Sequence, residues 1–521
     1  MPKLNKVEVT LSANKQSATE KLFRAATLVM ALFIVSRALG LFREMVIAYR
    51  FGTTAEMDAY LAAFRVPDFL FYVVSGGALG SAFIPVFTGH LTRQDMPGAW
   101  RLASAVINTV LIALGLLCLL MAIFTPTLVS NLYPDLSLSQ QNLTIELMRW
   151  MLISTMIFGV SGVVMGILNA HQHFLLPALA PVIYNVGIIF GALFLGERWG
   201  VRGLTVGVVL GALGHLLVQI PGLIHHQMEY QPVFGWRDDN LHEVLRLMLP
   251  RMLGIAAVQI NFMVTAVLAT QLTTGSLTAL NYGWIVMLLP QGVIAQSVAT
   301  ALFPTLSALV SQGKRAEMRH IFGTTLQSLL FLTLPATAGL VIWGRPIIRI
   351  LFERGEFDAH STEATVWALT FFSVGLVGHA VVEIATRAFY ALKNTKTPVM
   401  VAIVTMIINV VLSVVLMRGF TTWEYPAHAG LALANSIAVI LEMILLLWLL
   451  NPEMGGLVRE GFGLALAKMS LATIGMMATL LLLPATTWWL DIFGIILGGG
   501  VYFVLVYLLG GYDPRFGHFR T

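Results

Sequence analysis

From Leu22 to Leu509 the chain is a succession of apolar runs, each long enough to cross a bilayer and each closed by a short cluster of Gly, Pro or charged residues. A crossing helix needs roughly 20 mostly apolar residues, because hydrocarbon offers no partner to backbone N–H and C=O groups outside the segment itself. Windows of this kind predict fourteen helices, near 22–50, 58–91, 100–132, 144–170, 175–196, 202–225, 250–272, 277–310, 321–343, 362–391, 397–417, 428–450, 462–484 and 488–511. The longest polar break, 229–249, holds Trp236, Arg237, Asp238 and Asp239 and a short periodic piece with Val244, Leu245 and Leu247. It reads as a cytoplasmic linker carrying an interfacial helix.

A faint internal repeat organises these helices. Ser81-Ala-Phe-Ile-Pro85, near the end of the second, resembles Thr300-Ala-Leu-Phe-Pro304, near the end of the eighth, and the run Ala170–Pro177 resembles Ala391–Pro398. The expected fold is therefore an all-α integral membrane protein of about fourteen transmembrane helices. It comprises two six-helix lobes in a parallel pseudo-two-fold repeat, 22–228 and 250–450, followed by a C-terminal helix pair within 451–521. Six is even, so the copies share one orientation, as in carriers that move two lobes about a central site.

Composition agrees with the pattern: 57% of the 521 residues are apolar and 11% are charged, against about 25% charged in soluble domains. The net charge of +5 is not a nucleic-acid signature here, because no basic tract is interleaved with aromatics. Lys and Arg report topology instead. With the N-terminus inside, 18 of the 31 fall on the cytoplasmic side and seven on the other, which predicts cytoplasmic termini. The polar segment 1–21, with Lys3, Lys6, Lys15 and Lys21, precedes a long first run interrupted by Arg37, unlike a cleaved signal. The single cysteine, Cys118, lies in an apolar run, which excludes an intrachain disulfide and a cysteine metal cluster.

Ionisable groups at membrane depth are costly unless a cavity or a partner receives them, so each is a candidate. The densest set is Arg37, Arg43, Glu44, Asp58, Arg65 and Asp68, in the first two helices, with Ser36 beside Arg37. Guanidinium forks suit bidentate pairing with a diphosphate. The alternative is internal pairing, Arg43 or Arg65 with Asp58 or Asp68, and with the acids counted the set is nearly neutral. Glu383 and Arg387 stand at i and i+4 and predict an intrahelical salt bridge. His215, His379 and Glu442, and the amides Asn185, Gln259, Asn261, Gln291, Gln296, Asn409 and Asn435, predict hydrogen bonds between helices. Pro67, Gly76, Gly77, Gly80 and Pro85 in the second helix, and Pro290 with Gly292 in the eighth, mark two bendable helices at equivalent places in the repeat.

Ser36-Arg-Ala-Leu-Gly40, Phe42-Arg-Glu44, Asp58-Ala-Tyr60, Arg65-Val-Pro67, Ala82-Phe-Ile-Pro85, Leu302-Phe-Pro304 and Phe389-Tyr-Ala-Leu-Lys-Asn-Thr-Lys-Thr-Pro-Val399 together resemble the MurJ/MviN family of the multidrug/oligosaccharidyl-lipid/polysaccharide exporter superfamily. The resemblance spans residues 30 to 440. It implies an alternating-access flippase, not an enzyme, of the bacterial inner membrane. The cargo would be a polyprenyl-diphosphate-linked glycan, lipid II for peptidoglycan synthesis or a related lipid-linked oligosaccharide, held in a V-shaped cavity with a groove at the last two helices for the lipid tail. It further implies substrate contacts at Arg37, Arg43 and Asp58, with a basic residue kept at Arg65; the residues themselves add Ser36 to that set and give Glu44, Asp68, Glu383 and Arg387 gating or ion-pair roles. No cofactor or metal is expected, and coupling would be to the membrane potential or a monovalent cation. Membrane lipids and cell-wall synthesis proteins are the expected partners. Phe71, Tyr72, Gly76 and Ile285 stand where family members carry charged residues, which leaves the identity of the glycan open and a transport-dead scaffold as a rival.

Overall fold

The computed structural model describes the backbone of all residues except 1, 2, 75–77, 458–460, 485, 486 and 511–521, and the side chains of 3–26, 78, 79, 81, 253, 254 and 257 are likewise outside the description. Gly76, Gly77, Arg459, Arg515 and Arg520, and the side chains of Ser81 and of the first four lysines, therefore lie outside the described residues.

All regular structure among the described residues is helical. The helices are α1 (Lys3–Phe51), α2 (Ala55–Val74), α3 (Ala78–Thr92), α4 (Met96–Leu132), α5 (Leu138–Ala170), α6 (Leu175–Phe190), α7 (Gly196–Trp199), α8 (Val201–Leu217), α9 (Ile220–His225), α10 (Asp239–Ala269), α11 (Ser276–Gln291), α12 (Ser297–Ser311), α13 (Arg315–Ile342), α14 (Gly344–Phe352), α15 (Ala359–Val374), α16 (Leu376–Ala391), α17 (Lys396–Thr422), α18 (Ala427–Met454), α19 (Phe462–Leu482) and α20 (Trp488–Leu508). Single π turns, Gly191–Leu195 and Gly292–Gln296, join α6 to α7 and α11 to α12. Among the described residues ten helical stretches, with α6–α7, α8–α9 and α11–α12 each taken as one, are long and apolar enough to cross a membrane, and the α15–α16 pair, bent by 43°, makes an eleventh. The charged α1, the α2–α3 pair and α10 complete the set. Of the two helices expected to bend, the eighth is interrupted by its π turn, and in the second Gly76 and Gly77 lie outside the described residues.

The chain forms two compact units, Met1–Phe51 with Ala59–Ile260, and Gly52–Asp58 with Asn261–Thr521. In the first, α6 and α8 approach until backbones touch. A Cβ on Gly207 would lie 2.6 Å from Gly191 Cα, and one on Gly187 2.4 Å from Gly211 Cα. Membrane helices associate without a hydrophobic drive, so this small-residue contact supplies the packing. Phe83, Phe87, Trp100 and Leu102 form the buried core under α3 and α4, joined by Leu241 and Val244 of α10. The piece expected as a separate interfacial helix is thus the start of one continuous helix that keeps Pro250 inside it. Ahead of it an extended strap is pinned to α4: Asn108 Nδ2 donates to the Val233 carbonyl (2.8 Å), Tyr230 Oη to Asn108 Oδ1 (2.7 Å), and the Gln231 amide to Ser104 Oγ (3.0 Å). Cys118 is buried against Leu70 and Leu152.

In the second unit, Phe322, Leu329, Ala385 and Phe389 are among the fully enclosed core residues. The last two helices pack on α13 and α14 through Ala338, Trp343, Met476 and Tyr502. Trp343 Nε1 donates to the Asp491 carbonyl (3.1 Å), and Arg349 Nε donates to Asp491 Oδ2 (2.9 Å). Asp491 is fully buried in an otherwise apolar helix, and the arginine supplies its counter-charge.

Candidate functional site

The sequence groups the ionisable residues of the first two helices as one set, whereas the structure divides them. Arg43, on α1, donates through Nε to Glu44 Oε1 (3.1 Å), through Nη2 to the same oxygen, and through Nη1 to Asn185 Oδ1 on α6 (2.9 Å). Glu44 is buried, which an acid tolerates here because the guanidinium is its immediate neighbour. Asn185 Nδ2 reaches back to the Ser36 carbonyl (3.5 Å), so the amide holds α6 to α1 at two levels.

Arg65 and Asp68 lie one turn apart on α2, and Asp68 is within electrostatic reach of both Arg65 and Arg43. Arg65 Nε is buried with no hydrogen-bond partner. Three tyrosines border this group: Tyr60 and Tyr184 lie within reach of Arg43, Glu44 and Asp68, and Tyr72 within reach of Asp68 and Arg43. Next to them runs an aromatic wall. Phe71 meets Tyr72 edge-on (5.3 Å between centroids) and Phe158 (5.2 Å), and Phe158 in turn meets Tyr184 (4.9 Å) and His215 (5.2 Å). Phe71 and Tyr72, two of the span-two positions where the resemblance leads one to expect charged residues, are therefore part of an aromatic layer, while Gly76 lies outside the described residues. The tyrosines were not singled out in the sequence; their signal was adjacency, Tyr60 two residues after Asp58 and Tyr184 beside Asn185.

Arg37 behaves differently from Arg43. Its guanidinium lies 5.2 Å over the Phe33 ring, one turn back on α1, and both side chains are exposed.

Asp58 belongs to the second unit. Its carboxylate accepts from the Gly275 amide (2.5 Å), the Thr278 amide (2.9 Å) and Thr278 Oγ1 (2.6 Å) at the start of α11. Free N–H groups and the positive end of the helix dipole make that end a carboxylate receptor. Gly275 is left-handed (φ +87°), and a Cβ there would lie 2.5 Å from the Thr53 carbonyl, so only glycine lets the 52–58 segment close on α11. Asp58, expected among the substrate contacts, is held by three donors. Among the described residues Asp58 forms no ion pair with Arg43 or Arg65, its oxygens being taken by α11, while Glu44 and Asp68 are the acids within reach of Arg43.

Several of the other polar residues find partners within their own units. Glu383 and Arg387 form the intrahelical pair (2.6 Å). His215 Nδ1 meets Ser161 Oγ (2.7 Å), His379 Nε2 meets Asn435 Oδ1 (3.2 Å), and Asn409 Nδ2 donates to Asn261 Oδ1 (3.0 Å). Ile285 is partly buried beside Trp284, whose ring meets Phe262, Phe372 and His379.

With this geometry in place, comparison with known proteins is informative. Residues 47–497 match the sequence profile described as lipid II flippase MurJ. A probable lipid II flippase MurJ of Bdellovibrio bacteriovorus is 31% identical over 510 residues, 94% of this chain and 95% of its own. One from Vibrio cholerae is 28% identical over 444 residues, covering 82% and 83% of the two chains. Among solved structures, a lipid II flippase MurJ in an inward closed conformation aligns with a TM-score of 0.79 at 28% identity, over 92% of this chain and 98% of that one. A multidrug transporter of the MATE family aligns at 0.69 with 16% identity over 82% of this chain and 98% of its own, a likeness of fold.

Proposed function

Because the chain belongs to the lipid II flippase MurJ family, we propose that it carries lipid II, a polyprenyl-diphosphate-linked glycan, from the inner to the outer leaflet of a bacterial inner membrane by alternating access, with both termini in the cytoplasm. The observation that supports a diphosphate cargo is a pair of partly buried arginines, Arg43 and Arg65, on neighbouring helices of the first unit. Arg65 has a buried donor without a partner, and Arg43 presents a guanidinium whose present acceptors, one carboxylate oxygen and one amide, a phosphate would compete with. Tyr60, Tyr72 and Tyr184 add hydroxyls suited to a glycan, and the aromatic wall offers a face for sugar rings. Gating and ion-pair roles fall to Glu44 and Asp68, which neutralise the arginines when no substrate is bound. Arg37, exposed over Phe33, meets the headgroup on entry.

The inside-negative potential favours outward movement of an anion by about 2.3 kcal/mol per charge per 100 mV, so the potential contributes to the driving force, alongside a monovalent cation. The aromatic layer at Phe71 and Tyr72 favours as second reading a different lipid-linked oligosaccharide. The test is flipping in proteoliposomes with lipid II and a second polyprenyl-diphosphate glycan run in parallel. Replacing Arg43 and Arg65 together with Ala is expected to lower flipping at least about tenfold, the loss of one or more charge-assisted contacts. Unchanged flipping rejects this site, and preference for the second glycan selects the other cargo.

A further inference from the structure

Asp58, Glu383 and Asp491 of the second unit are each closed by dedicated partners: the start of α11, Arg387 and Arg349. Glu442 is not. It stands near the middle of α18, in Leu441-Glu-Met-Ile-Leu-Leu-Leu447, partly buried, and no cation pairs with it among the described residues. Its side-chain contact is Thr405 Oγ1 of α17, at 3.5 Å. Thr405 is 2% exposed, and its hydroxyl also lies 3.1 Å from the Val401 carbonyl and 3.2 Å from that of Ala402. A hydroxyl has one proton to donate. Thr405 Oγ1 is the donor in its 3.5 Å contact with Glu442 Oε2, but it shares that one proton with two nearer carbonyls of its own helix, so the carboxyl group receives a single long, shared hydrogen bond, too little to solvate a carboxylate. An unpaired charge at membrane depth is disfavoured for the same reason.

Among the described residues no counter-charge pairs with this acid: the cations of α17 are Lys396, its first residue, and Arg418, near its far end, and neither forms an ion pair with Glu442. On α17, Thr405 begins a buried polar line with Asn409 and Ser413 at four-residue steps, in which Asn409 donates to Asn261 (3.0 Å) and Ser413 donates to Asn409 (3.4 Å). These amides and hydroxyls satisfy one another, and Glu442 is the ionisable member at their end. The charged groups of α16, Glu383 and Arg387, are bonded to each other, and its His379 is bonded to Asn435 of α18. On α15, Glu363 pairs with Arg345 and His360 lies in the first turn; on α13, Arg315, Glu317, Arg319 and His320 lie in the first two turns; and Tyr282 is the titratable group of α11. A monovalent metal ion would require several oxygens at once, and this pocket offers the carboxyl and a single hydroxyl, so a proton is the ligand that fits.

We propose that Glu442 is a proton-binding site of the transport cycle, taking a proton from water when α17 and α18 are accessible and holding it as the acid when they close on it. This rests on the carrier reading above and names the coupled cation. The experiment uses the full chain in proteoliposomes and has two readouts. Infrared difference spectra between alkaline and acidic buffer are expected to contain a carboxylic C=O band that shifts in heavy water, is lost in Glu442→Gln and is displaced in Glu442→Asp. Lipid II flipping by the wild type is expected to change several-fold with an imposed pH gradient, and Glu442→Gln is expected to lose that response. A band that persists in Glu442→Gln, or wild-type flipping that ignores a pH gradient or follows a sodium gradient instead, overturns the proposal. A Glu442-dependent band in a protein that flips no polyprenyl glycan supports the proton site while rejecting the transport reading. If Glu442→Gln fails to fold, the displaced band of Glu442→Asp decides the first readout.

Discussion

Arg43 and Asp58 are close in sequence, both in the first two membrane helices, and their charges are satisfied in different ways. Arg43 is held by an adjacent acid and one amide across α6, partners that a stronger anion would displace. Asp58 is held by two backbone amides and a hydroxyl that exist only where α11 begins, a receptor with no other use. The first arrangement is a contact between side chains, as the binding role proposed for Arg43 requires. The second is a fixed clasp, in which the left-handed Gly275 and the Thr53–Asp58 segment are built for one another. Identical chemistry, a buried charge with hydrogen bonds, thus serves two purposes, and the distinction lies in whether the partner is a mobile side chain or the end of a helix.

The largest expected effect tests the clasp. Asp58→Ala leaves two buried amides and a hydroxyl without an acceptor, at roughly 1–3 kcal/mol per unsatisfied group, and is expected to lower stability by about 3 kcal/mol or more in detergent thermal unfolding. Asp58→Asn retains an acceptor and is expected to lose less. A variant as stable as the wild type would reduce Asp58 to the same class as Arg43.

An intermediate effect lies outside the membrane helices of the first unit. His171, just beyond α5, stacks on His226 (4.2 Å) and Trp100 (5.6 Å), and burial, with His226 and His173 beside it, moves its pKa from 6.5 down to about 4. Between those values the unfolded chain takes up a proton that the folded protein resists. Stability is therefore complete above pH 6.5 and declines as pH falls towards 4. Melting curves between pH 7.5 and about 5 should show the decline in the wild type and a flatter profile in His171→Asn.

The smallest effect concerns a pair that closes on itself within one helix. Glu383→Gln combined with Arg387→Gln removes both charges of an i,i+4 bridge worth about 0.2–0.5 kcal/mol, and the double variant is expected to unfold within about 0.5 kcal/mol of the wild type. A much larger loss would mean that this pair, like Asp58, anchors a second element.

The helix inventory and the concentration of charge between Ser36 and Asp68 were legible in the sequence, because insertion into hydrocarbon imposes length and apolarity one segment at a time and makes each exception visible. The Glu383–Arg387 bridge was legible for the same reason: its geometry is fixed within a single helix. Which charges meet across helices was not. Nothing local distinguishes Asp58 from Asp68, yet one lies against the start of α11 and the other beside Arg65 and Arg43. Nor does spacing reveal that α10 continues through Pro250, or that the residues at 71 and 72 join Phe158 and Tyr184 in one layer. Sequence alone determined that the chain crosses a membrane many times and carries costly charge within it. Only the tertiary structure decided which partner each charge obtains, because the cost of burying an ion is set by donors and acceptors brought from distant parts of the chain.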